Sequence, residues 1–204
     1  MDVQAHWELV YATKDAAEVS WFRPHLERSL ELIERAAPDR RASILDIGSG
    51  QSTLVDDLLS RGYEKMTALE ISKVALDRLK ERIGPSGQRV QWICGDVTEA
   101  ALPEGAFDVW HDRAVFHFLT EANRRRAYAE RVEKTLKPGG SLILSTFGPS
   151  GPDRCSGLAT MRYDPAALAV EFGNHLRLVE SSLEMHRTPM GTEQEFLTCW
   201  FRLR

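Results

Sequence analysis

The chain is short of several things, and each shortage excludes a class of protein. Cysteine occurs three times in 204 residues, as Cys94, Cys155 and Cys199. Scattered and odd in number, these fit neither a disulfide framework nor a zinc knuckle, so a reducing cytoplasm is expected. No apolar run approaches the roughly 20 residues that cross a bilayer, and no membrane partner is expected. Met1-Asp2-Val3-Gln4 lacks both the basic start and the apolar centre of a secretion signal. Basic residues are outnumbered and the net charge is −4. That disfavours broad contact with a phosphate backbone, and no nucleic-acid partner is expected. Arg124-Arg125-Arg126 is the one basic cluster, and with Glu121, Glu130 and Glu133 nearby it reads as a solvated helix face. There is no internal repeat. The length suits one domain, as monomer or homodimer.

The most informative stretch is Ser43-Ile44-Leu45-Asp46-Ile47-Gly48-Ser49-Gly50-Gln51-Ser52-Thr53. A short apolar strand meets two glycines spaced by one residue, and a helical run follows. Such a turn brings backbone close to a ligand, because a Cβ on either glycine would fill the space. The third glycine of the dinucleotide pattern is absent. Asp46 would repel a pyrophosphate but suits an ammonium or a hydroxyl. The turn is that of a nucleoside with a cationic tail, which disfavours an NAD-dependent oxidoreductase. Glu70 ends a second apolar strand, Met66–Glu70, where an acid can accept from both ribose hydroxyls.

D-I-G-S-G resembles the first motif of class I S-adenosylmethionine (SAM)-dependent methyltransferases. Three further segments follow in that family's order: Ala68–Ser72, Cys94–Val97 and Leu136–Leu144. The resemblance implies a doubly wound, mostly parallel seven-stranded α/β sheet with a C-terminal antiparallel hairpin and an N-terminal helical cover. It implies SAM as cofactor, S-adenosylhomocysteine as product and no metal. Asp46, Gly48, Ser49, Gly50 and Ser52 would form the loop under SAM. Glu70 and Ile71 would take the ribose, and Asp96 with the Val97 NH the adenine. Trp7, Tyr11 and Trp21 of the aromatic arm 1–24, and His111, complete the expected cofactor side. Residues 43–147 are the expected SAM-binding core, 148–165 an acceptor-side loop, and 176–204 the C-terminal strands. Arg154 and Cys155 of that loop are candidates to guard an acceptor pocket.

The acceptor is expected at His111-Asp112-Arg113 through Phe118, after the strand Phe107–Trp110. The N/D-P-P-Y/F tetrapeptide of adenine and amide-nitrogen methyltransferases is missing there. W-H-D-R instead is similar to the W-D-R of thiopurine methyltransferases and related enzymes acting on sulfur, selenium or tellurium, with His111 inserted. Some protein-lysine methyltransferases carry a similar D-K/R-G. The expected catalytic pair is Asp112 and Arg113, acting on a small-molecule thiol, sulfide or selenol. Protein lysine is the alternative acceptor, and a non-catalytic SAM-fold binding subunit the alternative of another class. His111 or His117 could take a proton from an amine acceptor.

Overall fold

The computed structural model describes residues 2–204. Helix α1 (Val3–Thr13) starts where the Asp2 carboxylate accepts from the Gln4 and Ala5 NH groups. Helix α2 (Glu27–Ala36) leads to β1 (Ser43–Ile47), α3 (Leu54–Ser60), β2 (Lys65–Glu70) and α4 (Lys73–Ile83). The Ser72 hydroxyl caps α4 by accepting from Ala75 NH, as its position after the strand predicts. Strands β3 (Val90–Cys94) and β4 (Phe107–Arg113), helix α5 (Ala122–Thr135) and β5 (Leu136–Phe147) complete the parallel part. A two-residue ribbon, β6 (Arg154–Cys155) with β7 (Leu158–Ala159), lies within the segment expected to be loop. Helix α6 (Pro165–Glu171) then precedes β8 (Leu176–Arg187) and β9 (Glu193–Leu203).

The seven strands run in the order β3-β2-β1-β4-β5-β9-β8, with β9 antiparallel to both neighbours. This is the expected doubly wound sheet with its C-terminal hairpin. The central strands read as continuous apolar runs because both faces are covered. Ile44, Met66 and Val109 pack with Leu30 and Ile33 of α2 and Leu58 of α3 on one face. Leu45, Trp110 and Leu142 pack with Tyr128 of α5 and Leu168 of α6 on the other. The strand order reverses between β1 and β4, which opens a crevice at their carboxyl ends.

One expectation shifts. Strand β4 runs through Arg113, three residues past its expected end at Trp110, so His111-Asp112-Arg113 is extended chain. Helix α5 has Glu121 at its cap position, without a side-chain capping bond.

Candidate active site at the carboxyl ends of the sheet

The cavity at the switch point is lined from both sides by the glycine turn, the ends of β2 and β4, and the N-terminal arm. Gly48 and Gly50 have φ of +63° and +50°, the left-handed region that glycine adopts freely. A Cβ on Gly48 would lie 2.1 Å from Val115 Cγ2, and one on Gly50 2.5 Å from the Tyr11 hydroxyl. Both glycines are therefore demanded by backbone conformation and by space. Ser49 holds the turn from inside, its hydroxyl donating to the Asp46 carbonyl at 3.1 Å. Ser52 lines the cavity beside it.

Asp46 is buried, and its Oδ1 accepts from His111 Nδ1 at 2.7 Å. The other imidazole nitrogen meets Ser29 Oγ at 2.9 Å. His111 thus touches the acid and not the cavity's centre, and fixes the carboxylate's rotation. Asp46 Oδ2 is buried without a hydrogen-bond partner among the described residues. Such an atom calls for a donor brought by a ligand, and an ammonium supplies one.

Glu70 is buried at the end of β2, its two oxygens accepting from Gly50 NH and Ser72 NH, both at 2.9 Å. It ties the glycine turn to the start of α4, with lone pairs left for ligand hydroxyls. Burial raises its carboxyl to about 7, although the backbone donors pull the other way. Ribose hydroxyls donate to the ionised form, so binding a ribose at this site lowers that value and releases a proton. Affinity should therefore tighten as pH rises, by about tenfold between about pH 6 and 8. Calorimetry of S-adenosylhomocysteine at about pH 6.5, in buffers of different ionisation heat, reads the proton directly. Equal heats in all buffers would mean that Glu70 is already ionised in the free protein.

Asp96 lies on the cavity wall next to the buried Val97. Burial would raise its carboxyl, but bonds from Thr98 and Arg124 outweigh that and lower it. Arg124 pairs with Asp96 Oδ2 and lines the cavity, and Arg125 pairs with Glu171 at 2.7 Å. Of the basic cluster only Arg126 is exposed, which corrects its reading as a solvated face.

The arm covers this floor. Trp7 and Tyr11 share the buried face of α1, and Trp21 meets the Trp7 ring edge-on at 5.7 Å. Ile71 packs against the same cluster. Glu8, which sequence reasoning passed over, accepts from Ser72 Oγ, Lys73 NH and Val74 NH at 2.8, 2.7 and 3.0 Å. A carboxylate from α1 thereby sits on the positive end of α4 and fastens the arm beside Glu70.

At the acceptor end the two expected catalytic residues part company. Side chains alternate along β4, so Trp110 and Asp112 face α5 while His111 and Arg113 face α2 and the arm. Asp112 is fully buried. It accepts from Val115 NH, Phe116 NH and the Tyr128 hydroxyl at 2.9, 3.1 and 2.6 Å. It does not line the cavity, so the structure corrects its placement beside an acceptor: it braces the turn after β4. Arg113 does line the cavity. Its Nη1 donates to the Trp21 carbonyl at 2.9 Å, and its guanidinium lies 4.9 Å from the Phe196 ring centroid. Nη2 is buried and has no partner among the described residues. Burial lowers this guanidinium to about 10, which leaves it charged.

His117, Phe118, Phe147, Phe196 and Cys155 complete that wall. Arg154 is exposed, donating to the Gly157 carbonyl at 2.6 Å. A lone histidine or phenylalanine carries no sequence mark of a shared cavity. Only the order of the strands brings β5 and β9 to it. Among the described residues no three His, Cys, Asp or Glu side chains are grouped to hold a metal ion, and no helix is long and apolar enough to cross a membrane.

Residues 44–140 match the methyltransferase domain family. The malonyl-[acyl-carrier protein] O-methyltransferase of Priestia megaterium is 32% identical over 112 residues, covering 54% of this chain and 38% of that protein. The bovine (Bos taurus) eEF1A lysine and N-terminal methyltransferase is 27% identical over 138 residues, covering 68% of this chain and 19% of that protein. The chain thus spans less than half the length of either relative. Among solved structures it resembles the Burkholderia thailandensis 1,6-didemethyltoxoflavin-N1-methyltransferase with bound 1,6-didemethyltoxoflavin and S-adenosylhomocysteine. That likeness has a TM-score of 0.71 at 22% identity, over 95% of this chain and 80% of the other. The glycine turn, the acids around it and the matched segment agree: residues 44–140 are similar to a methyltransferase domain, on the seven-stranded fold seen in SAM-dependent methyltransferases.

Proposed function

We propose that the chain methylates an anionic small-molecule acceptor, with a thiolate, sulfide or selenolate preferred. One observation carries this reading. Arg113 holds a buried donor without a partner on the cavity wall, and no carboxylate pairs with its guanidinium among the described residues. A buried cation of this kind is stabilised by an anion brought from outside. The similarity of W-H-D-R to enzymes acting on soft atoms points the same way.

When bound, SAM supplies a methyl carbon on a sulfonium; displacement by the acceptor's lone pair returns the electrons of the broken bond to sulfur and leaves S-adenosylhomocysteine. The chain's task is alignment and exclusion of water. Asp46 Oδ2 receives the ammonium, with His111 setting its direction, and Glu70 receives the ribose. Asp96 and Val97 face the adenine, with Arg124 sharing the carboxylate. Arg113 keeps a thiol acceptor ionised, so no general base has to act during transfer. The arm closes the cavity with Trp7, Tyr11 and Trp21.

Protein lysine is the rival acceptor, since the bovine relative bears that name. It is disfavoured because Asp112, the acid that would steer an ammonium, is turned into the fold, while Arg113 repels one. A non-catalytic binding subunit predicts SAM binding without turnover. Purified protein with labelled SAM should transfer label to hydrogen sulfide, selenide or small thiols, and not to a lysine-rich protein extract. Label on protein lysine with none on any anionic acceptor would replace the reading. Binding without transfer to any of them would favour the subunit.

A further inference from the structure

We infer that Arg113 and His117 together form a subsite for a flat, carboxylate-bearing acceptor, each donating one N–H to the carboxylate. The inference rests on the anionic-acceptor reading and narrows it.

His117 is fully buried on the 310 turn after β4 (Phe116–Phe118). Its Nδ1 accepts from Phe147 NH at 3.2 Å, so the proton of the neutral ring is on Nε2. Burial, with Arg113 adding repulsion, lowers the imidazole to about 3, and the ring is a neutral donor at any working pH. Nε2 is buried and unpartnered among the described residues, as is Arg113 Nη2. Two such donors on one cavity wall are unusual, because a buried donor left unpaired loses its hydration without replacement.

Among the described residues no acid answers them. Asp112 serves Tyr128 and two backbone groups. Glu184 pairs with Arg23 at 2.8 Å, and Glu195 accepts from Ser150 NH at 2.7 Å. The nearby Cys155 thiol is raised by burial and stays neutral. A single sulfur atom that also faces the methyl group is poorly placed to answer two separate donors. A carboxylate has two oxygens and about four lone-pair directions.

The wall also selects shape. His117 stacks on Phe147 with centroids 4.2 Å apart and planes 19° apart, and Phe196 lies 4.9 Å from Phe147. Arg113 lies against Phe196, so both donors rise from one aromatic patch. Aromatic neighbours of this kind suit a planar, unsaturated acceptor body.

The carboxylate could be the methylated group, its oxygen forming the new bond to carbon and yielding a methyl ester. Alternatively it anchors a ring whose adjacent thiolate forms that bond and yields a thioether. In both cases the acceptor enters as an anion, and no proton is left to remove.

The probes are benzoate, 2-mercaptobenzoate and thiophenol, titrated into protein saturated with S-adenosylhomocysteine and then offered to protein with labelled SAM. The two acids should bind at least about tenfold more tightly than thiophenol. Methyl ester from benzoate, or thioether from 2-mercaptobenzoate, distinguishes the two sources. His117→Phe keeps the stack on Phe147 and removes both nitrogens. It should weaken the acids about tenfold and leave thiophenol and S-adenosylhomocysteine within about twofold; His117→Gln, which restores a donor, should recover part of the loss. If His117→Phe binds benzoate like the parent while Arg113→Met does not, His117 has no part in the subsite and the anionic reading stands. A general loss, S-adenosylhomocysteine included, in both His117 variants assigns the residue to the fold and overturns the inference. If the parent methylates thiophenol but binds neither acid, the subsite is refuted alone. If no anion binds or is methylated, both readings fall together.

Discussion

Arg113→Met is expected to lower turnover of a thiol acceptor about 10²-fold, the usual cost of losing one electrostatic stabiliser. Methionine keeps much of the stem against Phe196, where the guanidinium lies 4.9 Å from the ring centroid. The substitution therefore removes charge more than volume. It also removes the bond to the Trp21 carbonyl, so the arm loses one tie. SAM affinity should stay within about threefold, because the acids proposed to hold it, Asp46, Glu70 and Asp96, lie at the ends of β1, β2 and β3 and not on β4. The pH at which the rate saturates should rise, since a thiol without a neighbouring cation ionises nearer its free value of about 8.5. Rate against pH, measured beside SAM titration, separates these effects. An unchanged rate on thiols, with normal pH dependence, would remove Arg113 from the acceptor site.

Glu70→Ala should weaken SAM by about 2–4 kcal/mol, because charge-assisted bonds to ribose are lost. At first sight a strand-end acid facing a ligand contributes little to the fold. The structure changes that expectation. Glu70 accepts from Gly50 NH and Ser72 NH, so alanine strands two buried donors and loosens the turn from α4. A melting temperature lower by several degrees is expected even without ligand, from about 1–3 kcal/mol of lost satisfaction. Glu70→Gln keeps one acceptor oxygen for one of the two NH groups and should restore part of the stability but less of the affinity. Thermal melts and calorimetry on the same samples resolve the two roles. Unaltered affinity in folded Glu70→Ala would place the ribose elsewhere.

Much of the frame was legible in the sequence, since its causes are local. Apolar strand cores, Ser72 after β2 and glycines at left-handed φ each impose one conformation on a few consecutive residues. Four motifs in order were enough for the sheet and for bringing Asp46, Glu70 and Asp96 to one cavity, because three of them sit at the carboxyl ends of β1, β2 and β3. The acceptor side was legible only in part. Arg113 and Asp112 are neighbours, and nothing in their types says which one enters the cavity.

That was decided by the length of β4. Extended through Arg113, the strand sends side chains to opposite faces in turn, so Asp112 meets Tyr128 while Arg113 meets Trp21. The same alternation puts His111 beside Asp46, a contact between positions far apart in the chain. Glu8 on α4, Arg124 on Asp96 and the pairing of His117 with Phe147 are likewise long-range. Periodicity shows which residues are apolar and which turns are tight. The partner of a buried charge depends on which strands the sheet has made neighbours, and only the tertiary fold determines that.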